Sequence, residues 1–267
     1  EAKRVKAMFT MPEKIIYALP EQIGNTELFV GRKMEFDYYL GDWYYYLINN
    51  MAQSQAIVAR RKKGKTAFLQ RLFNILWSCP DTGVIPFYFS VREVKTTLAE
   101  FSKSFFATFV NHYFAYRKRN PEWAAFPKAF AALRGKIEDK HLKETYEVIE
   151  ESERINNWGQ MWEAASRAPF GIAVVQNVKI VQIFDEFQNI NEYVYNYRGE
   201  KIDSLSGTYL DLAEKREAPL IISGSEVHGL LEIVRRLTAR FKERTLENLP
   251  EDEAKEAIRR YAKASRT

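Results

Sequence analysis

One run of residues has the types and spacing to hold a phosphate. Ala59-Arg60-Arg61-Lys62-Lys63-Gly64-Lys65-Thr66 follows the arrangement GxxxxGK[ST], with Ala59 at the place of the first glycine. Such a loop turns its backbone N–H groups inward onto phosphate oxygens, so Gly64 must let the chain come close. Lys65 then reaches the terminal phosphates. The Thr66 hydroxyl, followed by Ala67, offers a hard oxygen to Mg2+ at a helix start whose dipole favours anions. A second run, Ile183-Phe184-Asp185-Glu186-Phe187-Gln188, ends an apolar stretch in two carboxylates. Asp185 suits a Mg2+ hydration shell, and Glu186 suits orienting and deprotonating a water; as a helix N-cap, Asp185 would serve structure alone. A third, Ser223-Gly224-Ser225, is either a plain turn or a polar tip able to reach between those acids and a terminal phosphate.

These groups need elements to bring them together. Short β-rich apolar runs at 55–58, 84–91, 178–184 and 219–223 read as strands buried on both faces of a parallel sheet. Between the first two, 66–76 sets Phe68, Leu69, Leu72, Phe73 and Leu76 on one helical face. Strand, helix, strand is the βαβ pattern, and an α/β fold places ligands at the carboxyl ends of its strands. The stretch 96–167 is too long for one crossover helix. It reads as a helical insertion, with helices at 98–116, 127–133, 137–155 and 158–166, broken near Asn120-Pro121 and Asn156-Asn157. After Ser225 the chain reads as helical and charge-rich to its end, broken at Leu249-Pro250, with no sign of another strand. The organisation expected is an N-terminal extension 1–28, a core 29–225 and a helical lid 226–267.

Composition narrows the classes. The 267 residues hold a single cysteine, and Cys79, His112, His141 and His228 lie too far apart for metal-ligand spacing, which excludes a disulfide scaffold and a CxxC-type zinc module. No window approaches the roughly 18 apolar residues of a membrane span, and 1–15 lacks the apolar centre of a secretory signal. A cytoplasmic protein with no membrane partner is expected. Forty Lys and Arg against 35 Asp and Glu leave a charge of +5, compatible with a polyanion without demanding one. Of the basic residues between Arg60 and Arg71, Lys65 is expected to touch phosphate and the rest to be solvated. Phe101, Phe105, Phe109, Tyr113 and Tyr116 recur at helical spacing, which marks a packed face or a surface for a partner chain. With Arg117-Lys118-Arg119 beside them, base stacking on nucleic acid is the competing use.

Taken in order, these blocks resemble the archaeal-type P-loop ATPases of the AAA+/STAND superfamily. Phe29-Val30-Gly31-Arg32 with Glu35 and Leu40 is similar to the FVGRxxE box that precedes the phosphate loop; ARRKKGKT, FDEFQ and LIISGS follow. Leu237-Thr238-Ala239-Arg240-Phe241, continuing to Ala254 and Ile258, is similar to the family's approach to its lid, with Ala239 replacing a glycine. The resemblance implies an ASCE-type P-loop NTPase sheet, with the Ser223 strand between the phosphate-loop strand and the acidic strand. It implies ATP and Mg2+, with hydrolysis of the β–γ phosphoanhydride. It puts Gly31 and Arg32 beside the base and residues 59–67 around the phosphates. Lys65 and Glu186 act in catalysis, Ser225 is the sensor, and Arg240 is a lid or trans-acting arginine. Thr66 and Asp185 take the metal. A switch of this family works through self-assembly or a protein partner, and its effector domain would lie outside 1–267, so the sequence is expected to be part of a longer one. The alternative is a non-hydrolysing, nucleotide-dependent scaffold that binds protein or nucleic acid through 96–167; a metabolic kinase would not need DEFQ followed by SGS.

Overall fold

The apolar runs form neighbouring strands of one parallel sheet. The computed structural model describes residues 9–224, 227–236 and 240–265, without the side chains of Leu210, Val227 and His228. The strands of this sheet are β1 (Ser54–Val58), β2 (Val84–Ser90), β3 (Lys179–Asp185), β4 (Leu220–Gly224) and β5 (Phe241–Thr245), in the order β2-β3-β4-β1-β5. β4 lies between the phosphate-loop strand and the acidic strand, as the resemblance implies, and every pairing is parallel. β1 and β4 are buried at every residue, because helices cover both faces and leave no room for alternation.

β5 corrects the expectation of an all-helical 226–267. Phe241 is buried, but Lys242, Glu243 and Thr245 are exposed, so the strand has almost no apolar signature. It is an edge strand, where charged side chains keep the open side from pairing with another chain.

The described helices of eight or more residues are α1 (Lys65–Trp77), α2 (Leu98–Arg117), α3 (Lys140–Arg154), α4 (Trp158–Val175), α5 (Val227–Arg236) and α6 (Glu251–Ala264). α2 lays its aromatic stripe on the sheet: Phe105 meets Phe87 at 5.1 Å and Phe184 at 5.7 Å. Phe101 packs on Trp162 of α4 at 5.1 Å. The stripe is therefore core. α4 continues nine residues beyond the expected end at Ser166, through Pro169. Buried packing of Ala168, Ile172 and Ala173 outweighs the one hydrogen bond that proline removes.

α1 is buried nearly all round. Its apolar face meets the sheet layer, while Gln70, Arg71 and Asn74 are buried under residues 17–26. The Asn74 amide accepts from Leu19 N at 2.9 Å and donates to Leu19 O at 2.9 Å; Gln70 Oε1 accepts from Gln22 N at 2.7 Å. Side chains of α1 thus satisfy the arm's backbone as a neighbouring strand would. Arg71, expected to be solvated, instead holds Glu21 in a two-pronged pair at 2.7 and 2.8 Å. No helix among the described residues is long and apolar enough to cross a membrane.

Candidate functional site

The sheet register sets the site. Val58 pairs with Gly224, Phe184 with Ile222, and Asp185 with Ser90, so the phosphate loop, the Ser223 tip and the acidic pair leave the same edge. The loop 59–66 opens from buried Ala59 and turns through Lys62 at φ 66° and Gly64 at φ 76°. That left-handed turn at Gly64 starts α1 and is the conformation that favours glycine. Arg60, Arg61 and Lys62 are exposed, as expected of them, while Lys65 is 6% exposed. Arg61 makes only a loose surface pair with Glu93 at 3.6 Å.

Asp185 is the hub. Its Oδ2 accepts from Thr66 Oγ1 at 2.6 Å and from the Tyr88 hydroxyl at 3.2 Å. Its Oδ1 accepts from Ser223 Oγ at 2.6 Å and from Glu186 N at 3.1 Å. Lys65 Nζ stands 3.7 Å from Oδ1. The N-cap use is not what the chain does with Asp185, since the next helical turn, Asn189–Glu192, starts after Gln188. Burial and the neighbouring Asp185 charge hold the Tyr88 phenol well above its ordinary range, which keeps it a donor to the carboxylate. Tyr88 had no signal in the sequence beyond lying in an apolar strand.

Glu186 sits at φ 54°, a conformation that costs a β-carbon-bearing residue about 1 kcal/mol. This turn brings its Oε1 to 2.8 Å from Lys65 Nζ, while Oε2 accepts from Gln188 Nε2 at 2.7 Å.

The GRxxE box braces the loop from outside. Arg32 is 5% exposed; it donates to Lys63 O, to Glu247 O at 2.8 Å and to Glu35 Oε1 at 3.0 Å. The Glu253 carboxylate of α6 accepts from Arg32 N at 2.9 Å. It lies so close to Gly31, at φ 82°, that a Cβ there would overlap it. Between box, loop and α6 lies a cavity of about 440 Å3 lined by Val30, Gly64, Ala67, Leu249, Ala257 and Tyr261. A larger one, about 690 Å3, lies among Phe9, Ile15, Gly31, Phe36, Leu40 and Arg71; of the two, the smaller is the one lined by Gly64.

Two expectations end elsewhere. Ser225 lies outside the described residues, and the hydroxyl on the acid is that of Ser223. Arg240 is at the far edge: β5 runs parallel to β1 with Phe241 beside Ser54, which puts Arg240 a full strand, roughly 16 Å at 3.3 Å per residue, from the loop. It pairs with Glu214 at 2.7 Å. The strand at 241–245, where a lid helix was expected, is the cause. Of the basic triplet at the end of α2, two are engaged within the chain: the Arg119 guanidinium lies 3.9 Å over the Trp77 ring and Lys118 pairs with Glu138 at 2.6 Å, while Arg117 is exposed.

No protein-family model matches the chain and no curated protein matches it. Among solved structures it is similar to the Walker-type ATPase PABY2304 of Pyrococcus abyssi, with 14% identity and a TM-score of 0.55 over 91% of this chain and 59% of that one. It also matches the ORC2 protein of Aeropyrum pernix, in ADPNP-ADP complexes, with 13% identity and a TM-score of 0.44 over 87% of this chain and 52% of that one. The chain thus spans a little over half the length of either. The likeness is one of fold: this is an α/β P-loop fold of the kind found in archaeal ATPases.

Proposed function

We propose that the protein binds ATP with Mg2+ and hydrolyses the β–γ phosphoanhydride, acting as a nucleotide-dependent switch of the AAA+/STAND kind. One observation carries the proposal: Lys65, Thr66, Asp185, Glu186 and Ser223, from three strand ends, converge at one edge within hydrogen-bond or ion-pair reach of one another.

In this arrangement the Lys65 ammonium, 2.8 Å from Glu186 Oε1, is the counter-charge for the terminal phosphates. The Thr66 hydroxyl and Asp185 Oδ2 are hard oxygen donors 2.6 Å apart, a set that fits Mg2+. Mg2+, when bound, neutralises phosphate charge. Once phosphate claims Lys65, Glu186 Oε1 can accept a proton from water. The water oxygen bonds the γ-phosphorus, the bond to the bridging oxygen breaks, and its electron pair stays on the β-phosphate. The base takes the 440 Å3 cavity, and the segment that closes over it is α6 rather than all of 226–267. The Arg119 guanidinium is stacked on Trp77 and Lys118 is paired with Glu138, so the nucleic-acid reading gains no support from them. Output through a partner chain or through self-assembly fits the switch.

The test is Glu186→Gln. ATP affinity should stay within about threefold while turnover falls on the order of a hundredfold or more. Turnover retained near the wild-type rate removes Glu186 from the base role.

A further inference from the structure

Gln188 is 4% exposed and its amide donates to Glu186 Oε2 at 2.7 Å. With a carboxylate in front of it, only the N–H side of that amide can face Glu186. The other end, Oε1, is buried and has no partner among the described residues. It lies over Gly224, where a built Cβ would overlap Gln188 Oε1 and crowd Leu230 Cβ at 3.1 Å. The φ of Gly224 is not left-handed, so conformation does not explain a glycine there. Space does. The same turn is fastened to β4 a second time, Phe187 N donating to Ser223 O at 2.8 Å.

We infer that Gln188 is a positioning residue for Glu186, and that Gly224 in the Ser-Gly-Ser tip is the vacancy its carboxamide fills. This rests on the ATPase reading above and deepens it. The Glu186 carboxylate lies between Lys65 and Gln188. A phosphate that draws Lys65 away leaves the Gln188 contact in place, so the carboxylate keeps its aim when it must meet water. The tip of β4 is then coupled to the base through packing: any shift of residue 224 toward the turn pushes on Gln188 before it reaches Glu186.

The test compares Gln188→Ala, Gln188→Glu, Gly224→Ala and the double variant Gln188→Ala/Gly224→Ala, reading ATP Kd, kcat and KM, with thermal unfolding to confirm folding. Gln188→Ala should lower kcat roughly tenfold or more with Kd and KM within about twofold. Gln188→Glu sets a like charge beside Glu186 and should likewise lower kcat with Kd and KM within about twofold, a split that a merely structural residue would not give. Gly224→Ala should reproduce the loss, and the double variant should be no worse than Gln188→Ala, since with the carboxamide gone its 224 methyl meets only Leu230 Cβ at 3.1 Å. A wild type that turns over ATP while Gln188→Ala keeps its kcat overturns the positioning role alone. A folded wild type without ATP turnover overturns the ATPase reading, and this role with it.

Discussion

Changing Glu21 to glutamine should cost this fold more than most single substitutions do, although Glu21 lies about forty residues from the phosphate loop. The Glu21 side chain is fully buried and that of Arg71 is 10% exposed. They share two hydrogen bonds, at 2.7 and 2.8 Å. Arg71 also donates to Thr26 O at 2.9 Å, and its guanidinium lies 4.3 Å over the Phe29 ring. Glu21 accepts in addition from Asn74 Nδ2 at 3.0 Å. Glu21→Gln keeps the shape and removes the counter-charge, leaving Arg71 charged and buried on the helix that starts with Lys65. Breaking a buried pair from one side costs about 3–5 kcal/mol. For a chain of this size that corresponds to a melting temperature lower by roughly 6–20 °C. Urea unfolding gives the free energy directly. Glu21→Leu with Arg71→Met should recover most of the loss, because an apolar pair of similar volume leaves no charge stranded. A loss below about 1 kcal/mol for Glu21→Gln, or a double variant weaker than the single, refutes this account of how the arm holds α1.

Two further outcomes are expected. Burial pulls the His112 pKa down from 6.5 to about 4, against the opposing Ala124 backbone hydrogen bond. The unfolded chain therefore takes up a proton between those values that the native chain does not, and stability is full above about pH 6.5 and lost as the pH falls, on the order of 3 kcal/mol by pH 4. Unfolding at pH 7 and pH 5 should show His112→Gln losing less than the wild type; equal losses contradict this. Gly31→Ala forces a methyl into Glu253 at φ 82°, so amide exchange across 251–264 should speed up and ATP affinity weaken roughly tenfold. Unchanged exchange would show that Glu253 does not hold α6 to the box.

The sheet was legible where burial left a chemical trace. β1 to β4 are apolar because both faces are covered, and their order followed from motifs with a known neighbourhood. β5 was not legible: FKERT carries one buried ring and its pairing to β1 is backbone alone. That one strand misplaced Arg240, since reading it as a lid helix puts the arginine over the site and not a strand length away. The hydroxyl tip shows the same limit at finer grain. Periodicity could not choose between Ser223 and Ser225, which a period of two assigns to the same face; the register of β4 on β3, Phe184 beside Ile222, puts Ser223 on Asp185. Arg71 and Glu21 were invisible as a pair because nothing local relates residues fifty apart. Gln188 and Gly224 stood inside quoted motifs, yet their meaning lies in a contact between two strands.

The central claim is that the loop ending in Lys65 and Thr66 holds a nucleoside triphosphate. Calorimetry of ATP, with Mg2+, on the wild type and on Lys65→Ala tests it directly, with GTP as the comparison. The account predicts micromolar-range ATP binding, about −8 kcal/mol, that disappears in the folded Lys65→Ala protein. No ATP binding by the folded wild type, or equal binding by both, would contradict it.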